Sequence, residues 1–324
     1  MAPGTRRGQQ LKQTSAALIV RRAFEAAATF IAATVVVFVI TFALPGDPAR
    51  TVAGRRQPSE ATLRAIRQRY HLDEPLPAQY IRWLDRLVHG DLGDSYVYRR
   101  PVRDILLEAL PVTVTLLAMT LAIEIVFGIL IGTAASGRRG ATFDHAVLIG
   151  CTIALAVPLF IVGSVSQDLF GVRWRILPVA GTRDGLLSYV LPSVTLALSG
   201  LAVAIRLMRS ETLVYRVAPH IRTARAKGIR PGAVTRRHVV RNALGPFVAF
   251  VGLEVGALVG GSIVVERVFN LPGVGRTVAR AISQRDNALI IGFTMSIIAV
   301  YLVVDLAVDL TAMALDPRLK TSGQ

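Results

Sequence analysis

The chain has 324 residues, 52% hydrophobic and only 18% charged, with a mean hydropathy of +0.51; a soluble enzyme of this length needs a more polar surface, and long apolar runs mark a membrane protein. The formal net charge is +16, but the arginines fall between apolar runs rather than along one soluble face, so the excess reads as membrane topology and not as a nucleic-acid footprint. The single cysteine, Cys151, excludes an intrachain disulfide, and His71, His89, His145, His220 and His238 show no ligand spacing, so no resident metal is expected.

In chain order, residues 1–25 form a basic tail with Arg6, Arg7, Lys12, Arg21 and Arg22. The first apolar run, 26–44, exceeds the roughly 7–15 residues of a signal-peptide core, and Pro45-Gly46-Asp47-Pro48 follows in place of a small-x-small cleavage site. It is expected to be a retained span. Residues 45–109 interleave arginines with nine acids, among them Asp73, Glu74, Asp85 and Asp104. Leu63, Ile66 and Tyr70, then Tyr80, Ile81, Leu84 and Leu87, recur at helical spacing, so this stretch is predicted to be a partly helical cap. Further runs at 110–135, 146–165, 188–208, 243–265 and 288–312 each approach the roughly 20 residues that cross a bilayer. The third span contains Pro158, a predicted kink. The expected fold is therefore an all-α membrane protein with about six transmembrane helices.

Arginine and lysine near span ends set orientation. The 209–242 stretch holds Arg209, Arg216, Arg222, Arg225, Lys227, Arg230, Arg236, Arg237 and Arg241 against the lone acid Glu211. Counting spans puts it on the same side as the N-terminal tail, the 136–144 turn and the 316–324 tail. That side is assigned as cytoplasmic, with the 45–109 cap extracytoplasmic, and residues 110–315 form the transmembrane core that carries the 209–242 loop. Arg267, Arg276, Arg280 and Arg285 in the outer 266–287 loop run against the rule.

Within the basic loop, Ile221 to Lys227 favours helix, and Gly228 is placed to end it. Pro231-Gly232 is expected to turn the chain, and a second helical run leads through His238, Arg241 and Asn242 into the fifth span. Such a short basic helix suits an acidic protein partner or an anionic lipid surface. The residues Arg222-Thr223-Ala224-Arg225-Ala226-Lys227-Gly228, followed by His238-Val239-Val240-Arg241-Asn242-Ala243, resemble the signature loop of bacterial ABC-transporter permeases of the dipeptide, oligopeptide and nickel branch. Arg222 and Thr223 stand where the generic loop has Glu and Ala. The same family's pattern is similar to Leu44-Pro45-Gly46-Asp47-Pro48, Gly90-Asp91-Leu92-Gly93-x-Ser95, Pro272-Gly273-Val274-Gly275-Arg276, Arg285-Asp286 and Leu315-Asp316-Pro317-Arg318.

That resemblance implies a division of labour. Arg222, Thr223, Ala224, Arg225, Ala226, Lys227 and Gly228 would dock on a cytoplasmic ATPase and transmit its closure to the spans. A second similar permease, two ATP-binding subunits and an extracytoplasmic binding protein would complete the importer, with di- or oligopeptides as cargo and nickel or another small solute as the alternative. This chain itself is expected to bind no cofactor. Lys12, Lys227 and Lys320 are its only lysines and none sits in G-x-x-x-x-G-K-[ST], so ATP and magnesium belong to the partner subunits and the chain is not an enzyme.

Three further features stand within the spans. Gly252, Gly256 and Gly260 repeat every four residues on the fifth span, as Gly128 and Gly132 do on the second, a pattern that permits close helix packing. Glu124 and Glu254 lie mid-span, where an acid is costly and therefore a candidate for the translocation path, for a proton relay in a self-sufficient secondary transporter, or for an interhelical bond. Asp305 and Asp309, one turn apart on the sixth span, are expected to anchor the basic loop.

Overall fold

The computed structural model of the protein describes residue 21, residues 24–41, residue 49, residues 58–69 and residues 72–315, without the side chains of residues 69, 305 and 307–315. The Leu44–Pro48 and Asp316-Pro317-Arg318 motifs and the side chains of Asp305 and Asp309 lie outside those described residues.

Backbone amides in a bilayer must be satisfied within their own segment, which favours helix, and the regular elements described are helical apart from one isolated β-bridge between Asp94 and Pro101. Five helical stretches among the described residues are long and apolar enough to cross a membrane: Phe24–Thr41, Val102–Gly137, Gly185–Arg216, Pro231–Val268 and Asn287–Val304. We label the helices α1 (Phe24–Thr41), α2 (Glu60–Arg69), α3 (Leu76–Val88), α4 (Val102–Gly137), α5 (Thr142–Ala156), α6 (Leu159–Ser166), α7 (Val190–Arg216), α8 (Pro219–Ala226), α9 (Pro231–Val234), α10 (Arg241–Val268), α11 (Val274–Gln284) and α12 (Asn287–Leu315).

The predicted third span departs from expectation. It is a bent pair, Thr142–Ala156 and Leu159–Arg173, with 102° between its halves. Proline disfavours helix for the residue before it and has no N–H of its own to continue the ladder. Val157 is accordingly extended (ψ 125°), Pro158 is too (ψ 137°), and two extended residues in succession redirect the axis. The expected kink is a break.

The described chain forms two compact units. The first comprises the described residues up to Thr113 with Pro272–Val303. Its core joins Val102, Ile105 and Ala109 of α4 to Val274, Val278 and Ala281 of α11 and to Leu289, Ile290 and Phe293 of α12. Gly292 makes that approach possible, since a Cβ there would lie 2.7 Å from Val102 Cγ1. Phe38 of α1 packs on Trp83 of α3 and on Ile291 and Met295, while Thr34 Oγ1 bonds Tyr80 Oη at 2.8 Å. The predicted helical spacing of the cap is thus realised in α2 and α3.

A buried carboxylate fastens this unit. Asp286, fully buried, accepts hydrogen bonds from Ser95 Oγ (2.5 Å) and from the amides of Tyr96 (3.2 Å), Val97 (3.1 Å) and Leu289 (3.2 Å). The last is an N-cap bond to α12; the first three tie in a loop about 190 residues earlier in the chain.

In the second unit, α7 packs against α10, α5 and α6. Gly128 and Gly132 let α4 approach closely: a Cβ on Gly128 would lie 2.9 Å from Ala204 Cβ, and one on Gly132 would lie 2.7 Å from the Ile205 carbonyl oxygen. On α10, Gly252 is buried and Gly256 half-buried, whereas Gly260 is exposed and a Cβ there would meet nothing within 4 Å. The close approach within the chain falls one residue later, at Gly261, 2.8 Å from Leu196 Cδ1. Helical rotation of about 100° per residue accounts for the offset: an i, i+4 repeat drifts off a given contact face over two turns.

Candidate functional site

Two features of the second unit hold the candidate residues. The first is the basic segment between α7 and α10. A helix of eight residues is too short to hold by itself in water, so α8 depends on its surroundings. Pro219 occupies its first turn after an extended Ala218, and the Ile221 and Ala224 side chains, three residues apart, are buried against Val234 and Val239. Gly228 closes the helix at φ 76°, a left-handed conformation that glycine adopts without steric cost. The Gly228 amide bonds the Arg225 carbonyl at 2.9 Å and the Ile229 amide bonds the Ala224 carbonyl at 3.4 Å, the Schellman pattern expected at a glycine stop.

This geometry sorts the seven residues of the signature stretch. Arg222, Thr223, Arg225, Ala226, Lys227 and Gly228 are exposed, while Ala224 is buried. Ala224 therefore anchors the helix within the chain, and Ala226 is the small residue left on the outer face. Pro231 opens a helix instead of a turn: Arg230 before it is extended, and helical structure then runs continuously from Pro231 to Val268 through a π-helical stretch at Thr235–Val240. Proline is pre-shaped for the first helical position, and that preference outweighs the turn signal of Pro-Gly here. A cleft of about 630 Å³ opens beside the segment, with Arg138, Arg216 and Arg236 on its walls. The outer surface of this region is thus cationic.

The second feature is internal. Glu124 on α4 and Glu254 on α10 come together across α7, where Gly200 stands between them. A Cβ at Gly200 would collide with an Oε1 atom of both glutamates, so the two carboxyl groups lie side by side in the space a side chain would fill. Glu124 is 2% exposed, and neither of its carboxyl oxygens has a hydrogen-bond partner among the described residues. Glu254 is half-buried.

Two cations of α7 are engaged elsewhere. Arg209 makes a two-pronged pair with Asp144, at 2.5 and 2.7 Å, and the Gly140 amide adds a third bond to that carboxylate at 3.0 Å. Arg206 reaches Thr152 Oγ1 at 2.6 Å. The pairing of Glu124 with Glu254 was not visible in the sequence, nor was Gly200, because the two acids lie 130 residues apart and Gly200 lies 76 and 54 residues from them. Asp286 did carry a signal: an acid immediately before a long apolar helix is an N-cap pattern.

Family models match most of the chain: the "Binding-protein-dependent transport system inner membrane component" over residues 124–321, and its N-terminal companion over residues 16–117. A glutathione transport system permease protein of Pectobacterium atrosepticum is 38% identical over 90% of this chain and 95% of its own length. A probable peptide ABC transporter permease protein of Sinorhizobium fredii is 32% identical, covering 93% of this chain and 98% of its own. A dipeptide transport system permease protein of Bacillus subtilis is also 32% identical, over 93% and 97%. Among solved structures, inward-facing conformations of the MetNI methionine ABC transporter match with a TM-score of 0.53 and 18% identity, over 65% of this chain and 96% of that one, a likeness of fold.

Proposed function

The chain belongs to the family of binding-protein-dependent transport system inner membrane components and is the permease of an ABC importer, and from that premise we propose that it carries di- or oligopeptides inward under the drive of separate ATPase subunits. The cargo reading rests on relatives named for dipeptide, peptide and glutathione transport, spread over more than nine-tenths of their lengths. None of those three relatives is named for nickel, the alternative cargo.

The observation that carries the mechanism is the built form of the basic segment. The α8 helix is fixed from within by Ile221 and Ala224 and presents Arg222, Arg225 and Lys227 outward. A short helix packed onto the start of a long one transmits a push without absorbing it, because close-packed interiors deform little. On this reading Arg222–Gly228 docks on an ATPase at the cytoplasmic face, and closure of the ATPases moves the continuous helix from Pro231 to Val268. ATP and magnesium are held by those subunits, and none of the groups on this chain is assigned to them. A second permease and an extracytoplasmic binding protein complete the assembly in the bacterial inner membrane, with both termini of this chain cytoplasmic and the 45–109 cap outside. Glu124 and Glu254 would stand on the translocation path.

The test is a pull-down of the tagged chain from native membranes. Wild type is expected to bring down an ATPase and a second permease, and Arg225→Glu to lower ATPase recovery by about tenfold, the effect of reversing one charge in a docking contact. Recovery of the chain alone, with Arg225→Glu behaving as wild type, would sink the docking assignment.

A further inference from the structure

Glu124 differs from the other buried acids whose contacts are described. Asp144 is held by Arg209 and the Gly140 amide, and Asp286 by four donors. Glu124 has no donor on either oxygen, and the group beside it is a second carboxyl. A buried acceptor without a donor is costly, and an adjacent like group adds to the cost when both are ionised. One positively charged ligand between them removes both penalties.

The chemistry of the surroundings narrows that ligand. Among the described residues no arginine or lysine is hydrogen-bonded to Glu124. A bare metal ion needs more ligands than a carboxyl pair, and the described residues bring no third His, Cys, Asp or Glu to the place. An ammonium group has three N–H donors and needs three acceptors. The two oxygens of Glu124 and the Oε1 of Glu254 supply them, and the missing side chain of Gly200 is what lets the two carboxyl groups meet. Charge-assisted bonds of this kind are the strong ones, more so away from water.

We infer that Glu124 and Glu254, meeting at Gly200, form a single-cation site that takes the primary ammonium group of the cargo as it crosses. For a peptide, this group is the free amino terminus. The inference rests on the importer reading above, but the chemistry of the site requires only a free amine.

The first measurement is uptake by cells that contain the whole transporter and lack other peptide carriers, comparing dialanine with N-acetyl-dialanine. Wild type is expected to favour dialanine by roughly tenfold or more, the difference one charge-assisted contact makes. Glu124→Gln and Glu254→Gln should each cut dialanine uptake toward the acetylated level and leave the acetylated peptide unchanged, with assembly on the ATPases intact. A role confined to holding the helices together would survive the amide and leave that preference unmoved. A preference unchanged in both variants overturns the site.

If wild type imports neither peptide, the cargo reading fails, and the site is decided separately. Purified transporter is treated with an apolar carbodiimide, and labelling at Glu124 and Glu254 is read by mass spectrometry in the presence of alaninamide or N-acetyl-alaninamide. Protection of several-fold by the free amine alone supports the site. Equal labelling with both compounds, or no labelling with either, overturns it.

Discussion

Two of the buried carboxyls of this molecule, Asp286 and Glu124, are built in opposite ways. Asp286 in the first unit receives a hydroxyl and three amides, two of which come from the loop at Tyr96 and Val97. Glu124 in the second receives none and faces Glu254. A saturated acid is a fastener, because each of its lone pairs is already committed to the fold. An acid left open beside another acid has its bonding capacity in reserve. Burial alone does not distinguish the two; the count of donors does.

That contrast breaks most readily at Asp286. Asp286→Ala would strand three amides and a hydroxyl in a buried place, at about 1 kcal/mol each or about 4 kcal/mol together. A large drop in the thermal stability of the solubilised transporter is expected, with faster trypsin cleavage near Ser95. Wild-type stability in that variant would show that the bonds of Asp286 are incidental.

Smaller in effect is the helix contact that frames the open pair. Gly132→Ala places a methyl against the Ile205 carbonyl oxygen, which cannot swing aside as a side chain tip can. The expected cost is about 2 kcal/mol, the range of overpacking in a close-packed interior, measured as a lower melting temperature. An unchanged value would mean that α4 and α7 can separate freely there.

The smallest effect sharpens the comparison. Glu124→Gln keeps size and shape and removes no satisfied hydrogen bond, so its effect on stability is expected to stay within about 0.5 kcal/mol. Asp286→Asn, the matching change in the first unit, turns an amide donor toward backbone N–H groups and is expected to cost about 2 kcal/mol. Melting curves of the two amide variants, taken side by side, compare them directly. Equal losses would erase the distinction between fastener and open site.

Much of the architecture was legible along the chain. Apolar runs of span length located the helices, and Phe24–Thr41, Val102–Gly137 and Asn287–Val304 overlap the stretches expected from hydropathy. Gly228 was recognisable as a helix stop because the requirement it meets, a left-handed residue after a helical run, is local. Other local signals were outweighed. Pro231-Gly232 reads as a turn, yet Pro231 starts a helix that continues to Val268, and Pro158 reads as a kink, yet it breaks its span by 102°. Proline states which bond is lost but not where the chain goes next, which depends on what packs around it.

The sequence by itself determined the number and order of the apolar segments, the cationic character of the 209–242 stretch and the end of its short helix. These follow from hydropathy, charge and φ preference, properties of neighbouring residues. Only the tertiary structure decided that Ser95 meets Asp286, that Ala224 turns inward while Ala226 stays outside, that Gly261 rather than Gly260 meets Leu196, and that Glu124 and Glu254 share the space at Gly200. Each of these depends on which helix faces which and in what rotation. A periodic pattern leaves that choice open, because an apolar helix in a membrane has no single side that water forces inward.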